Sequence, residues 1–265
     1  MDYAKDDVQA HKAWFFFDQG FVCLGAGIAA QKDESVTTSL NQTLLNGDVL
    51  LMQSQQVAMG KGQVVGKDVR GVFHDGVGYY FLGEQQTIVR ADAQTGTWTS
   101  IEEDSSRKDP VTKDVFGLWV DHGVRPVNGS YAYAVMPGVD LGTFTSLSKK
   151  LPFHVISNSV DIQAVAFPDE GIVQAAFFQA GSVQVLDGLS LRVDAPCLVI
   201  LQQQSDKWTV SVSDPTQRLD QVHVTLGGSF EGEGAMPEGA STVVTIDFPQ
   251  DQWSGKTVMG SLIRK

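Results

Sequence analysis

The sequence predicts an all-β chain, an antiparallel β-sandwich followed by a smaller C-terminal β-sandwich, with residues 1–152 in the first and 153–265 in the second. Three observations lead there. Helical periodicity is scarce, short β-rich runs recur along the whole length, and those runs are punctuated by Gly, Asn-Gly and Asp-Gly.

In chain order, the first part holds expected strands at 13–17, 21–24, 37–44, 48–52, 72–74, 77–82, 96–101, 116–122 and 131–136. Asn46-Gly47, Asp75-Gly76 and Asn128-Gly129 fall between such runs, where a hairpin needs residues that tolerate positive φ. Tyr131-Ala132-Tyr133-Ala134-Val135 alternates with a period of two, the pattern of a sheet with one buried face. Residues 53–71, rich in Gln and then in Gly, and residues 102–114, with Glu102-Glu103-Asp104 and Arg107-Lys108-Asp109, read as longer loops, which on a β scaffold often carry binding. Between 137 and 152, Pro-Gly, Leu-Gly, Ser/Thr and Lys149-Lys150 interrupt the strand rhythm and place the boundary there. Further strands are expected at 153–157, 162–167, 172–178, 181–186, 189–193, 197–202, 207–212, 221–226 and 241–248, the last again alternating through Thr242-Val243-Val244-Thr245-Ile246-Asp247-Phe248. No internal repeat of solenoid length is evident.

Length and composition exclude several classes. With 265 residues, 42% apolar and 19% charged, the chain can bury a substantial core, and disorder is excluded. The formal charge of -12 is spread over both parts, -5 from 13 basic and 18 acidic residues in 1–152 and -7 from 6 and 13 in 153–265. Such a surface repels nucleic acid, anionic membranes and acidic polysaccharides at long range unless a local basic groove offsets it. No dense Lys/Arg cluster provides one, so nucleic acid and membrane are not expected partners. The start, Met1-Asp2-Tyr3-Ala4-Lys5-Asp6-Asp7, lacks the charged and apolar regions of a signal peptide and reads as the interior of a larger architecture; no apolar run reaches transmembrane length. Cys23 and Cys197 lie in apolar surroundings that favour two separate buried thiols over a long-range disulfide.

The chemistry-bearing motifs are weak. Gly25-Ala26-Gly27-Ile28-Ala29-Ala30 fits GxGxxG/A, but a dinucleotide site needs a following helix whose first amides face the pyrophosphate, and Gln31-Lys32-Asp33-Glu34-Ser35 with Val36-Thr37-Thr38 gives none. These glycines instead suit a bulge or a close approach of strands. His11, His74, His122, His154 and His223 form no metal-ligand pair, and no GxSxG elbow is present; no metal, cofactor or catalytic residue is assigned. His74-Asp75 and Asp121-His122 place carboxylates beside imidazoles, but strand neighbours face opposite sides. Acidic residues at 102–109 suit solvated charge better than calcium. Of Trp14, Trp98, Trp119, Trp208 and Trp253, Trp98 follows Thr95-Gly96-Thr97 and is the best candidate for an exposed sugar-stacking ring.

Ordered stretches across nearly the whole chain resemble the family 8 polysaccharide lyases, particularly the chondroitin AC lyase branch. They are residues 12–18 (Lys-Ala-Trp-Phe-Phe-Phe-Asp), 24–28, 36–42, 74–81 (His-Asp-Gly-Val-Gly-Tyr-Tyr-Phe), 95–101, 118–138, 156–167 and 211–217. The resemblance implies the later part of a central β super-sandwich and the C-terminal β domain, with an N-terminal α/α toroid expected upstream, anionic polysaccharide as the parent enzyme's substrate, and a secreted or periplasmic location. The reaction it implies is β-elimination: a base removes the C5 proton of a uronic acid and the 4-linked oxygen leaves. In the family the Tyr base, its assisting His and the aromatic platform come from the toroid, so no such role passes to Tyr79, Tyr80, Tyr131 or His74. Relatives often carry Thr-Thr-x-Glu-Asn where this chain has Thr37-Thr38-Ser39-Leu40-Asn41. The Asn is retained and the acidic group is replaced by Leu40. Asn41, Trp98 and His74 stand as the candidate carbohydrate contacts. Two readings compete: the non-catalytic β portion of a uronate-polysaccharide lyase, and a stand-alone carbohydrate-binding sandwich, which ought to show a basic face that this acidic chain lacks.

Overall fold

The computed structural model describes every residue except Ser105 and is built from four antiparallel sheets. Sheet I has eight strands in the order Asp2–Lys5, Val8–Phe17, Gly20–Ala30, Gly129–Pro137, Val77–Phe81, Gly71–His74, Val49–Met52 and Gln56–Met59. Sheet II has four, Ser35–Leu44, Val111–Val124, Thr87–Gly96 and Gly62–Gly66. Sheet III runs His154–Asn158, Ile162–Phe167, Ile172–Phe177, Cys197–Gln204, Lys207–Ser213, Val258–Arg264 and Phe230–Gly232, and sheet IV Gly181–Gln184, Ser190–Val193, Gln221–Gly227, Ser241–Asp247 and Ala235–Glu238. The all-β expectation is borne out.

Period-two alternation sorts the side chains into three cores. Cys23, Tyr79, Tyr131 and Tyr133 of sheet I meet Val89, Phe116, Leu118 and Val120 of sheet II. Their strand neighbours Val22, Leu24, Tyr80, Ala134 and Met136 face the other way, against Val165, Phe167 and Ala176 of sheet III. Sheet III in turn packs Ala164, Ala166, Val199 and Val210 on Leu191, Val224 and Ile246 of sheet IV. The sheets therefore stack in the order II, I, III, IV, and strands at the centre of the two inner layers are covered on both faces. Ile162–Phe167, buried at every residue, is the clearest case; burial on both faces requires a continuous apolar run where a solvated sheet would alternate.

Several elements differ from expectation. Residues 53–71 contain the strands Gln56–Met59 and Gly62–Gly66, held by pairing with Val49–Met52 and Thr87–Gly96. Thr87–Gly96 is itself a full strand, ten residues in register with Val111–Val124, where the sequence suggested one at 96–101. At Trp98–Ser100 the chain turns into a 3-10 helix because Thr97 recruits the local polar groups: Ser100 N–H donates to the Thr97 carbonyl at 3.1 Å, and the Thr97 and Ser100 hydroxyls lie 2.8 Å apart. Within 137–152 a short helix, Leu141–Leu147, is capped by Asp140, whose carboxylate accepts from Thr143 N–H at 2.7 Å, and it drives Phe144 into the layer between sheets I and III.

Gly25 to Ala30 lie inside Gly20–Ala30, with no helix following. A Cβ on Gly25 would sit 2.2 Å from Tyr131 Cε1, and Gly27 takes φ +65° beside the register shift against Gly129–Pro137. Both glycines serve the bulge that lets the Tyr131 ring cross the strand.

Candidate functional site

The candidate carbohydrate contacts come from three different environments. Asn41 lies beside a bulge: Ser39 pairs with Trp119 and Asn41 with Leu118, leaving Leu40 as the extra residue, packed against the core between sheets I and II. Its side chain is half-buried and turned inward, where Nδ2 donates to Tyr79 Oη at 2.5 Å, a hydrogen bond from sheet II to sheet I. Burial pushes the Tyr79 phenol above its ordinary pKa, against the opposing pull of Asn41.

His74 is 1% exposed. Its ring stacks on Phe116 with centroids 4.3 Å apart, and Nε2 accepts from the Asn46 backbone N–H at 3.1 Å. Burial lowers its pKa, with Asp75 opposing, so the neutral ring that accepts this bond is the stable form. Asp75 turns away into the hairpin, with φ 49°, and accepts from Asn46 Nδ2 at 2.9 Å. The His-Asp pair thus pins the turn after Ser35–Leu44, and the imidazole is closed to a dissolved polymer.

Trp98 is 46% exposed at the end of sheet II. Gly96 pairs with Val111 while Asn41 pairs with Leu118. Seven strand residues separate the two rows, roughly 23 Å. The three candidates therefore do not converge on one site.

Near Asn41, Thr38 Oγ1 and His122 Nε2 lie 2.9 Å apart, and burial lowers the His122 pKa against the pull of Asp121. The adjoining cavity, lined by Tyr3, Lys12, Ile28 and Thr38, measures about 190 Å³, below the range typical of ligand sites. Four of the five tyrosines, Tyr79, Tyr80, Tyr131 and Tyr133, are buried, and burial pushes Tyr80 to about 12 and raises Tyr131 and Tyr133 as well. A general base must reach the proton it removes and deprotonate near working pH; none of these four meets either condition.

Among the described residues, no group of three or more His, Cys, Asp or Glu stands together that could hold a metal; the acidic stretch 102–109 includes Ser105, which lies outside them. Cys23 and Cys197 are free thiols in two different cores, and burial raises them to about 11 and about 12. No described helix is long and apolar enough to cross a membrane.

A wider concavity was not foreseen. About 740 Å³ of groove lies between the strand Val8–Phe17 of sheet I and the uncovered part of sheet III, lined by Trp14, Phe15, Phe16, Leu198 and Ile200. Sequence signalled it only through aromatic residues at successive positions of one strand.

The fold defines an all-β chain of stacked sandwiches, and comparison with known proteins gives its lineage. Residues 1–148 match the polysaccharide lyase family 8 super-sandwich domain and residues 154–223 the family 8 C-terminal beta-sandwich domain. This chain belongs to polysaccharide lyase family 8. It is 36% identical over 261 residues to the chondroitinase-AC of Pedobacter heparinus, covering 97% of this chain and 35% of that one, and 33% identical over 227 residues to a hyaluronate lyase of Thermasporomyces composti, covering 83% and 28%. Among solved structures, a chondroitinase AC lyase studied as oligosaccharide complexes superposes with a TM-score of 0.86 at 34% identity, over 97% of this chain and 37% of that one. A Paenibacillus xanthan lyase shares the fold with a TM-score of 0.87 at 22% identity, over 100% of this chain and 27% of that one. The chain thus spans about a third of the length of these relatives.

Proposed function

We propose that this chain is the non-catalytic β portion of a lyase that cleaves uronic-acid-containing polysaccharides by β-elimination, and that it serves as scaffold and as one wall of the cleft. In this reading residues 1–152 belong to the super-sandwich and 153–265 form the C-terminal sandwich. The proton-abstracting base, with the groups that neutralise the uronate, comes from a helical toroid outside these 265 residues, and the assembled enzyme works in a secreted or periplasmic setting.

The observation that carries the reading is the state of the tyrosines. Elimination needs a positioned base at the uronate C5–H, the resemblance assigns that role to a tyrosine with an assisting histidine, and Tyr79, Tyr80, Tyr131, Tyr133 and His74 are all sealed inside the cores. Incubated with chondroitin, hyaluronan or xanthan, the purified 265-residue protein should give no ultraviolet absorbance from an unsaturated product. A robust signal would sink the proposal. The exposed ring of Trp98 favours a second reading, a stand-alone carbohydrate binder. Glycan-array binding at low and moderate salt separates the two, since an independent module should retain sugar that a scaffold does not.

A further inference from the structure

The face of sheet II that is turned away from sheet I is laid out by strand alternation. In Thr87–Gly96 the buried residues are Thr87, Val89 and Ala91, so Ile88, Arg90 and Asp92 point outward; in Val111–Val124 they are Phe116, Leu118 and Val120 on the core side, so Val115, Gly117 and Trp119 point outward. Register then sets the outward residues in rows across the sheet. Ser39, Trp119, Ile88 and Val65 form one row, and Gln42, Gly117, Arg90 and Gln63 form the next. Each row crosses all of sheet II, about 14 Å.

The Trp119 indole lies along its own strand, over Gly117. A Cβ at Gly117 would stand 2.9 Å from Trp119 Cζ3 and 3.9 Å from Arg90 Cβ, so this position is buried on the solvent side of a sheet by the ring that covers it. Trp119 itself is half-buried: the strand takes one face of the indole and leaves the other open. Half-buried Ile88 and exposed Val65 continue it as an apolar ribbon one residue wide. Polar groups flank the ribbon. Ser39, Gln42 and Gln63 are exposed, and Arg90 is held by Asp92, whose Oδ1 accepts from Arg90 Nε at 3.0 Å and from Gln94 Nε2 at 2.6 Å. Asp121 is turned aside, accepting from Ser35 Oγ at 3.1 Å and from the Gly123 amide at 2.9 Å.

We propose that this face is a platform for an uncharged polysaccharide, whose rings stack through their C–H faces on the ribbon from Trp119 to Val65 while their hydroxyls pair with Ser39, Gln42, Gln63 and the Arg90 Nη groups. The ligand class rests on the polysaccharide contact that both readings above assume, as cleft wall or as module; the geometry of the face does not. Width argues against a protein in this place. A standard protein interface covers about 800 Å² on each side, far more than a ribbon one residue wide with polar rows beside it. Charge argues against a polyanion. The Arg90 guanidinium is already paired with Asp92, Lys113 lies six residues from Trp119 along the strand, about 20 Å away, and the net charge of -12 repels acidic chains and second copies alike. Amides, a hydroxyl and a flat indole are what an uncharged pyranose chain pairs with.

Calorimetric titration of the 265-residue protein tests the platform with cellohexaose, whose equatorial linkages hold its rings in a flat ribbon, with maltohexaose, whose axial linkages coil them, and with a chondroitin hexasaccharide. Cellohexaose should bind best, and equally at low and moderate salt because no counterions are released. Trp119→Ala should weaken it about tenfold, Trp119→Phe should recover most of the loss, and Trp98→Ala should change nothing. Gly117→Val, which keeps the indole but fills the space beneath it, should weaken binding as Trp119→Ala does. Tighter binding of the chondroitin hexasaccharide that falls with salt overturns the proposal. So does cellohexaose binding that survives Trp119→Ala and is lost in Trp98→Ala, an outcome that leaves the stand-alone binder standing with a different site. Binding of none of the three by the folded protein overturns the platform and the stand-alone binder together and leaves the scaffold reading intact.

Discussion

Asn41→Ala removes the hydrogen bond that sheet II makes to Tyr79, and the cost follows from where the phenol sits. Tyr79 is buried in the core between sheets I and II, so no water replaces the lost donor. Leaving a buried polar atom unpartnered costs about 1–3 kcal/mol. Tyr79→Phe removes the other end of the same 2.5 Å bond, but the half-buried Asn41 amide can turn to solvent, so the expected loss is about 0.5–1.5 kcal/mol. Because both changes delete one interaction, the double variant should be more stable than additivity predicts by about 0.5–1.5 kcal/mol. Urea unfolding of the four proteins measures every corner of the cycle. Additivity within about 0.3 kcal/mol, or an Asn41→Ala loss of that size or smaller, would refute the claim that this residue clamps the two sheets. A change in glycan binding at unaltered stability would instead assign Asn41 to a ligand.

Three further outcomes are expected. Burial pushes the Asp214 carboxyl up, but hydrogen bonds from the Thr216 hydroxyl and from the Leu219, Arg218 and Thr216 amides at 2.7–2.8 Å outweigh it and hold the pKa below the usual carboxylate range; stability from this group is complete above about pH 4 and is lost as pH falls through the depressed value. Asp214→Asn should cost about 2–4 kcal/mol at neutral pH and flatten the acid limb of a plot of melting temperature against pH; an unchanged limb would count against it. Phe144→Ala, emptying a fully buried ring that packs on Tyr80 and Phe73, should cost about 3–5 kcal/mol by urea unfolding, more than Asp140→Ala at the exposed helix cap; a Phe144 loss below about 1 would place the helix outside the cooperative core. Neither Cys23 nor Cys197 should react with a thiol reagent in the native protein at mildly alkaline pH, and both should react once it is unfolded; rapid native labelling would contradict their burial and raised pKa values.

The class of fold was legible because strands, turns and apolar runs agree locally. Asp75-Gly76 and Asn128 take the positive φ that their residue types suggested, and Tyr131 to Val135 form the expected strand, although it is buried on both faces where its alternation suggested one. Thr87–Gly96 was not recognised: Arg90, Asp92 and Gln94 fill the face opposite Val89 and Ala91 and leave no apolar run, and its extended state comes from pairing on both sides with Gly62–Gly66 and Val111–Val124. Short edge strands such as Gln56–Met59 are hidden for the same reason, since they owe their conformation to one neighbour. At the candidate site, residue types were readable and partners were not. The bond from Asn41 to Tyr79 depends on how sheet II lies over sheet I, and the inward face of His74 depends on which parity of its strand meets Phe116. Neither follows from spacing along the chain.

Parity carries a further consequence for the aromatic segment at residues 14–17. Two strands that are apolar at both parities are covered on both faces: Gly20–Ala30 lies between sheets II and III, and Ile162–Phe167 between sheets I and IV. Val8–Phe17 follows the rule through Ala13 and Phe15, buried toward sheet III, and breaks it at Trp14 and Phe16. A strand meant to face water at those positions would carry polar residues, as Ser35–Leu44 does at Thr37 and Ser39 on the outer side of sheet II. Trp14 and Phe16 instead hold aromatic rings at these positions.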